Sequence, residues 1–349
     1  MTYQRILTPC CECLFLTPFV EFFTVNCTLA RITGIKAALS FPGTWLAIAA
    51  MAVAQDRPYP AASDRPGGIA ASKAEILFLT SLWKGERYPD GRPKVSDDLL
   101  KRMKAVSIEE AWDVVRLDGY ENQFAGGWQM LHPDRPFVGR ALTAAYLPSR
   151  PDLVEPIMKS GKAEGRIGPS NSWPIDMLQR GDIYVADGFG KVADGTMIGD
   201  NLGNAISART GTGVVFDAGA RDPDGLKQIE GFNAYVRGWD PSFMKNMVLS
   251  SINRPIRIGH VTVLPGDVIL AKNEGVIVIP AHLAERVVVT AEIVALKDEF
   301  GHERLRSGIY TPGQIDVPWT DPIKADFFKW LEARPSKPPI AKELIEKQL

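Results

Sequence analysis

After Cys27 the chain contains no cysteine. All four, Cys10, Cys11, Cys13 and Cys27, precede Arg31, so no disulfide and no thiolate metal site can form downstream. The run Cys10-Cys11-Glu12-Cys13 lacks the histidine or second cysteine pair that would complete four ligands, which argues against a zinc knuckle. Excess charge of one sign is also missing. Forty basic and 41 acidic residues leave a net charge of -1, and without a basic block there is no electrostatic footprint for nucleic acid. No internal repeat is visible. The glycines of Asp187–Gly195 lack the G-x-G-x-x-G spacing, so they form no dinucleotide fingerprint. One apolar stretch, Ala37 to Val53, stands out, but Pro42-Gly43 interrupts it and it is short for a spanning helix.

What is present describes a folded protein. The 349 residues, 45% hydrophobic and 23% charged, allow one large domain or two small ones with ample core. Near the N-terminus, Arg31 and Lys36 precede the apolar stretch, and Ala52-Val53-Ala54 precedes Gln55. Charged region, apolar region and small-residue site follow the order of a secretory signal peptide. Residues 1–54 are therefore expected to be a signal peptide cleaved after Ala54, or an uncleaved anchor, since residues 1–30 make a long preface. Export to the periplasm follows from this reading, and a cytoplasmic location if the segment is no signal. Residues 55–75, rich in Pro, Gly, Ala and Asp, read as a linker.

Further along, Ser107-Ile108-Glu109-Glu110 has capping-box spacing ahead of a helical pattern, and Phe137 to Pro148 reads as a half-buried strand. The centre alternates. Residues 181–190 read as a strand ending in a glycine turn, 199–211 as a helix, 213–219 as a strand, then a helix start at Arg221 and a strand at 233–238. Three short strands are expected between Pro255 and Pro280, separated at Pro265-Gly266 and at Asn273-Glu274-Gly275. Residues 281–306 read as an amphipathic helix, and 307–349, with six prolines from Pro312 to Pro339, as a C-terminal arm that packs on the body or on a neighbour. The class is α/β.

The chemistry is expected around two turns. Gly199-Asp200-Asn201-Leu202 opens a helix, where free N–H groups and the local dipole favour an anion. Arg221 follows one helix and one strand later, and its planar guanidinium can clamp a carboxylate. Asp222 offers a hard oxygen ligand suited to Mg²⁺ or Mn²⁺, and Asp200 can hold a metal-bound water. Such a site would chelate a 2-keto acid and stabilise its enolate. His132 reads as a turn residue, His260 as structurally satisfied within a strand, and Asp187 and Asp217 as turn formers or supporting partners. Trp128, Trp173 and Trp239 read as core or interface, and the loop holding Glu164, Arg166 and Asn171 as a candidate lid.

With these residues in view, the sequence resembles the 4-hydroxy-4-methyl-2-oxoglutarate aldolases, the related regulator of ribonuclease activity A, and chains labelled demethylmenaquinone methyltransferase-like. The resemblance covers roughly residues 137–306. It rests on GDIYVADG, GDNLGNA, GVVFDAGARD, the spacing from Gly199-Asp200 to Arg221-Asp222, and Val263 to Asp267. It implies a swivelling β/β/α domain, here with an N-terminal helical extension and a catalytic region over 76–306. It implies that Gly199, Asp200, Asn201 and Leu202 bind substrate, that Arg221 contacts its carboxylate, that Asp222 holds Mg²⁺ or Mn²⁺, and that Asp200 orders a metal-bound water for proton transfer. The implied reaction is a metal-dependent retro-aldol cleavage of a 4-hydroxy-2-keto acid to pyruvate, with oxaloacetate decarboxylation as a side activity. Regulator members commonly have glycine where Asp200 stands. The resemblance also implies a homotrimer or hexamer, with a glutamate from a neighbour's C-terminal helix completing each site; Glu292, Glu299 and Glu303 are the candidates. Lys272 departs from the acidic residue usual in the family. A non-catalytic regulator that masks a protein partner is the alternative. A methyltransferase is a weaker third, for want of a glycine-rich loop and ribose-binding acid in order.

Overall fold

The computed structural model describes residues 68–338 and 340–349. The four cysteines, the apolar stretch and residues 1–67 of the expected signal and linker lie outside the described residues. Among the described residues no helix is long and apolar enough to cross a membrane.

Among the described residues eleven strands follow one another, interleaved with helices. They are β1 (Phe124–Ala125), β2 (Gln129–Met130), β3 (Phe137–Pro148), β4 (Asp182–Thr196), β5 (Val214–Ala220), β6 (Ala234–Trp239), β7 (Met247–Ile252), β8 (Ile256–Ile258), β9 (Val261–Val263), β10 (Val268–Lys272) and β11 (Gly275–Ile279). One mixed sheet runs in the order β1-β11-β10-β3-β4-β5-β6-β2, with β7 paired to β3 and β8–β9 a separate hairpin. The strands β3, β4, β5 and β6 are parallel to their neighbours within that set, and β10 runs antiparallel to β3.

A parallel strand covered on both faces reads as an apolar run, and β5 is buried at every position from Val214 to Ala220. Alternate residues serve opposite faces. Tyr184, Val214 and Phe216 pack with Trp173 and with Ile206 of the helix Asp200–Thr210. Ile183, Val185, Val215 and Tyr235 pack against Ile256, Ile258, Val261 and Val263 of the hairpin. Helix, sheet and hairpin are thus three layers, as the β/β/α expectation requires.

The remaining sheet surface, with Val268, Leu270, Ile277 and Ile279, packs beneath the helices Asp97–Met103, Ile108–Leu117 and Ala284–Arg306. The capping box forms: the Glu110 N–H donates to Ser107 Oγ at 3.0 Å and the Ser107 N–H to Glu110 Oε2 at 2.7 Å. Arg92 reaches from the N-terminal segment into the core, where it donates to Asp182 Oδ2 at 2.9 Å. Arg140 donates to Asp97 Oδ1 at 2.8 Å from the same region.

Several expectations are corrected. Residues 69–71 are not linker: Ile69 is buried, the Ala71 N–H donates to Ile252 O and the Ile252 N–H to Ile69 O, both at 2.9 Å. β4 runs past its glycines to Thr196, with register shifts after Asp187 and Lys191. The Pro255–Pro280 region holds four strands instead of three, because Gly259-His260 forms a turn; His260 is exposed there and not within a strand. The C-terminal arm, by contrast, packs on the body, one of the two outcomes expected for it: Trp319, Ile323, Phe327 and Ile345 pack with Ile293, Leu296 and Phe300 of the helix Ala284–Arg306.

Candidate functional site

In open α/β sheets, ligands bind beyond the carboxyl ends of parallel strands. Beyond Thr196 at the end of β4 and Ala220 at the end of β5 lies a cavity of about 230 Å³. Gly199, Asp200, Asn201, Leu202 and Arg221, all candidates from the sequence, line it together with Pro169, Asn171, Thr196, Met197, Ile198, Phe243 and Met244. Asp222 is not a wall of this cavity but stands beside it.

The local chain geometry explains the convergence. Asp222 has φ 56° and ψ 49°, a left-handed conformation that aspartate tolerates better than most residues. It precedes Pro223, the first residue of the helix Pro223–Lys227. The turn brings Asp222 Oδ2 to 3.5 Å from Arg221 Nε, with both side chains half exposed. Gly199 completes the cluster: a Cβ there would collide with Asp222 Oδ2 and lie 3.1 Å from Arg221 Nε. Its φ of -123° is open to any residue, so the glycine is required by close approach and not by backbone conformation.

Gly199 is the N-cap of an eleven-residue helix. The first-turn amides of Asp200, Asn201 and Leu202 have no helical acceptor; that of Asn201 donates to Asp200 Oδ1 at 2.8 Å. Asp200 Oδ2 stays uncommitted, over Gly225, where a Cβ would come within 3.1 Å of it. The donor set suits a hard divalent ion. Asp222 pairs, among the described residues, with its own neighbour Arg221 alone. Among the described residues no group of three or more His, Cys, Asp or Glu converges, so the carboxylates on hand here are those of Asp222 and Asp200.

The remaining candidates fall elsewhere. His132 lies at the opposite, amino end of β6, where its N–H donates to Asn233 Oδ1 at 3.0 Å; burial lowers its imidazole pKa. Asp217 and Asp187 lie within strands instead of following them: Asp217 pairs with Arg237 across β5 and β6 at 2.5 Å, while Asp187 accepts the Phe189 N–H at 2.9 Å, a local turn bond where the register of β4 shifts. Trp173 is core, while Trp128 lies under Arg237, 3.7 Å from the ring centroid. The Glu164–Asn171 loop is a wall: Asn171 Nδ2 donates to Met197 O at 2.8 Å. Glu292, Glu299 and Glu303 are engaged within their own chain by Arg102, Arg334 and Arg304. Sequence reasoning missed Phe243 and Met244, which sit between strands with no periodic signal. A second cavity of about 200 Å³, lined by Trp83, Tyr120, Asp267 and His282 among others, opens at the amino end of the parallel strands.

Comparison with known proteins agrees with this architecture. Residues 93–278 match the RraA-like family, Aldolase/RraA, and the chain belongs to that family. It is 28% identical over 160 residues to a provisionally named 4-hydroxy-4-methyl-2-oxoglutarate aldolase of Hahella chejuensis, spanning 42% of this chain and 96% of that protein. Among solved structures it is similar to an uncharacterized protein from Pseudomonas syringae pv. tomato str. DC3000, with TM-score 0.52 and 23% identity over 64% of this chain and 100% of that one. It is equally similar, with TM-score 0.52 and 23% identity over 60% of this chain and 100% of the other, to Streptomyces coelicolor RraAS2, described as an unusual member of the RNase ES inhibitor RraA protein family. These two likenesses establish the fold.

Proposed function

We propose that this member of the Aldolase/RraA family is a divalent-metal-dependent carbon–carbon lyase that cleaves a 4-hydroxy-2-keto acid to pyruvate or a close analogue. The observation that supports the reading is the close approach of Gly199 and Arg221, which line the cavity, to Asp222 beside it. Arg221 clamps the substrate carboxylate with its planar fork. The amides of the helix start and the local dipole favour the same anion. Asp222 would hold Mg²⁺ or Mn²⁺; when bound, the ion supplies a Lewis acid for the 2-keto oxygen. Asp200 would act in removing the C4 hydroxyl proton by positioning a water that takes it, and the carboxylate oxygen left uncommitted by the Asn201 N–H supports that reading. As that proton leaves, the C3–C4 bond breaks, C4 becomes a carbonyl, and C3 takes a proton to give pyruvate. Oxaloacetate decarboxylation passes through the same enolate and is proposed as a side activity.

The regulator reading predicts binding to a protein partner without turnover. Asp200 supports the lyase, since the regulators resemble this chain with glycine at that position. Pyruvate release from a panel of 4-hydroxy-2-keto acids, coupled to lactate dehydrogenase, separates the two. Release that stops on chelation and returns with Mg²⁺ is expected. No release from any member, with or without metal, would remove the lyase.

A further inference from the structure

The two turns that carry the candidate site contact each other reciprocally through glycines. A Cβ at Gly199, beside Asp200, would collide with Asp222 Oδ2. Gly225, shortly after Asp222 in the helix Pro223–Lys227, faces Asp200 in return. A Cβ at Gly225 would stand 2.9 Å from Asp200 Cβ, 3.1 Å from Oδ2 and 3.3 Å from Cγ. Each turn thus supplies a carboxylate, and opposite it lies the glycine that admits the carboxylate of the other. Gly203 continues the contact one helical turn on from Gly199: a Cβ there would collide with Leu226 Cδ2 and lie 3.1 Å from Ile229 Cδ1.

The two glycines differ in what they hold. At Gly199 the nearest atom is a carboxylate oxygen at the free end of Asp222, which can rotate away. At Gly225 it is Asp200 Cβ, which no side-chain rotation moves. Asp200 is also tied to its own helix, since its Oδ1 accepts the Asn201 N–H at 2.8 Å and its carbonyl accepts Asn204 Nδ2 at 2.9 Å. A side chain at 225 must therefore shift one helix start against the other. Nothing in the backbone calls for glycine there: Gly225 is helical and has no positive φ, and alanine is the better helix former. We propose that Gly225 is a positioning residue that, by bearing no side chain, sets where Asp200 stands against Arg221 and Asp222. The proposal rests on the lyase reading, in which Asp200 positions the water that takes the C4 hydroxyl proton.

The test is Gly225→Ala in the Mg²⁺-loaded full chain, read by pyruvate release from a 4-hydroxy-2-keto acid that the parent cleaves. The expected result is a kcat lowered by about tenfold or more, with KM kept within about threefold because Arg221 and Asp222 retain their places. The melting temperature should stay or rise, since alanine favours the helix. In the slower Asp200→Gly background, where the Cβ that residue 225 would strike is gone, Gly225→Ala should cost kcat nothing further. An unchanged kcat in Gly225→Ala, or the same fold-loss on both backgrounds, would overturn the positioning role and leave the lyase reading standing. A raised KM with kcat kept would overturn it equally, by showing that the Arg221-Asp222 turn is what moves. Misfolding of Gly225→Ala, whether or not Asp200→Gly relieves it, would assign the glycine to packing and overturn the proposal too. No pyruvate from the parent on any acid would remove the lyase reading, and the proposal with it.

Discussion

Gly199 carries the sharpest residue-scale consequence. Its backbone angles suit any residue, yet a Cβ would strike Asp222 and crowd Arg221. Both neighbours are half-exposed side chains that can swing aside. Gly199→Ala is therefore expected to leave thermal stability nearly unchanged while lowering kcat/KM by about 100-fold, the scale of misplacing catalytic groups by an ångström; a parallel loss of stability would show that the glycine serves packing instead. Arg221→Lys keeps the charge and loses the planar fork, so binding of a 2-keto acid should weaken by about 1–3 kcal/mol in calorimetry. The adjacency of Arg221 and Asp222, and the cavity turn Gly199–Leu202 next to them, were legible in the sequence. What could not be read was the left-handed backbone at Asp222, which turns neighbours in sequence into neighbours in space, nor Gly199 as the spacer between them. Phe243 and Met244 were invisible because only the fold of the Ser242 turn onto β4 brings them to the site.

Among the elements, the turn leading into β10 holds an isolated buried carboxyl. Asp267 Oδ2 accepts the Leu264 N–H at 2.8 Å, and burial, opposed by backbone hydrogen bonds, pushes its pKa up to about 7 from an ordinary 3.8. Between those values the unfolded chain ionises while the folded chain keeps its proton, so this group makes stability fall as pH rises from about 4 to about 7 and adds no further slope above. Denaturant unfolding of the parent and Asp267→Asn from pH 5 to 8 should show the parent losing about 1.4 kcal/mol per pH unit relative to the variant up to pH 7; matching slopes would place the carboxyl in contact with water. The strand β3 and the helix Asp200–Thr210 were legible in place and type, but β3 is buried on both faces from Phe137 to Ala144 where a half-buried strand was expected, because it lies between strands within a covered sheet. β8 and β9 merged into one strand because each has three residues and the intervening Gly259-His260 turn is short. The packing of the C-terminal arm was legible, but its helices were not, since six prolines hide them. Pro312 and Pro322 instead stand in the first turns of helices, where a missing N–H costs nothing.

For the whole molecule, the family resemblance implies a trimer or hexamer with shared sites. Light scattering is expected to show such an assembly, and a fully active monomer would contradict it. Within one chain, Glu292, Glu299 and Glu303 already have arginine partners, so a neighbour's glutamate would have to exchange a partner to reach the site. The central claim, a site that stabilises the enolate of a 2-keto acid at Arg221 and Asp222, has a test that needs no knowledge of the natural substrate. Pyruvate in D₂O with the protein and Mg²⁺ should take deuterium into its methyl group, followed by NMR, far faster than in buffer with Mg²⁺ alone. Asp222→Asn, which keeps the left-handed backbone tolerable and removes the charge, should return the rate to that of buffer. Exchange no faster than buffer with the parent protein, or exchange undiminished in Asp222→Asn, would contradict the account.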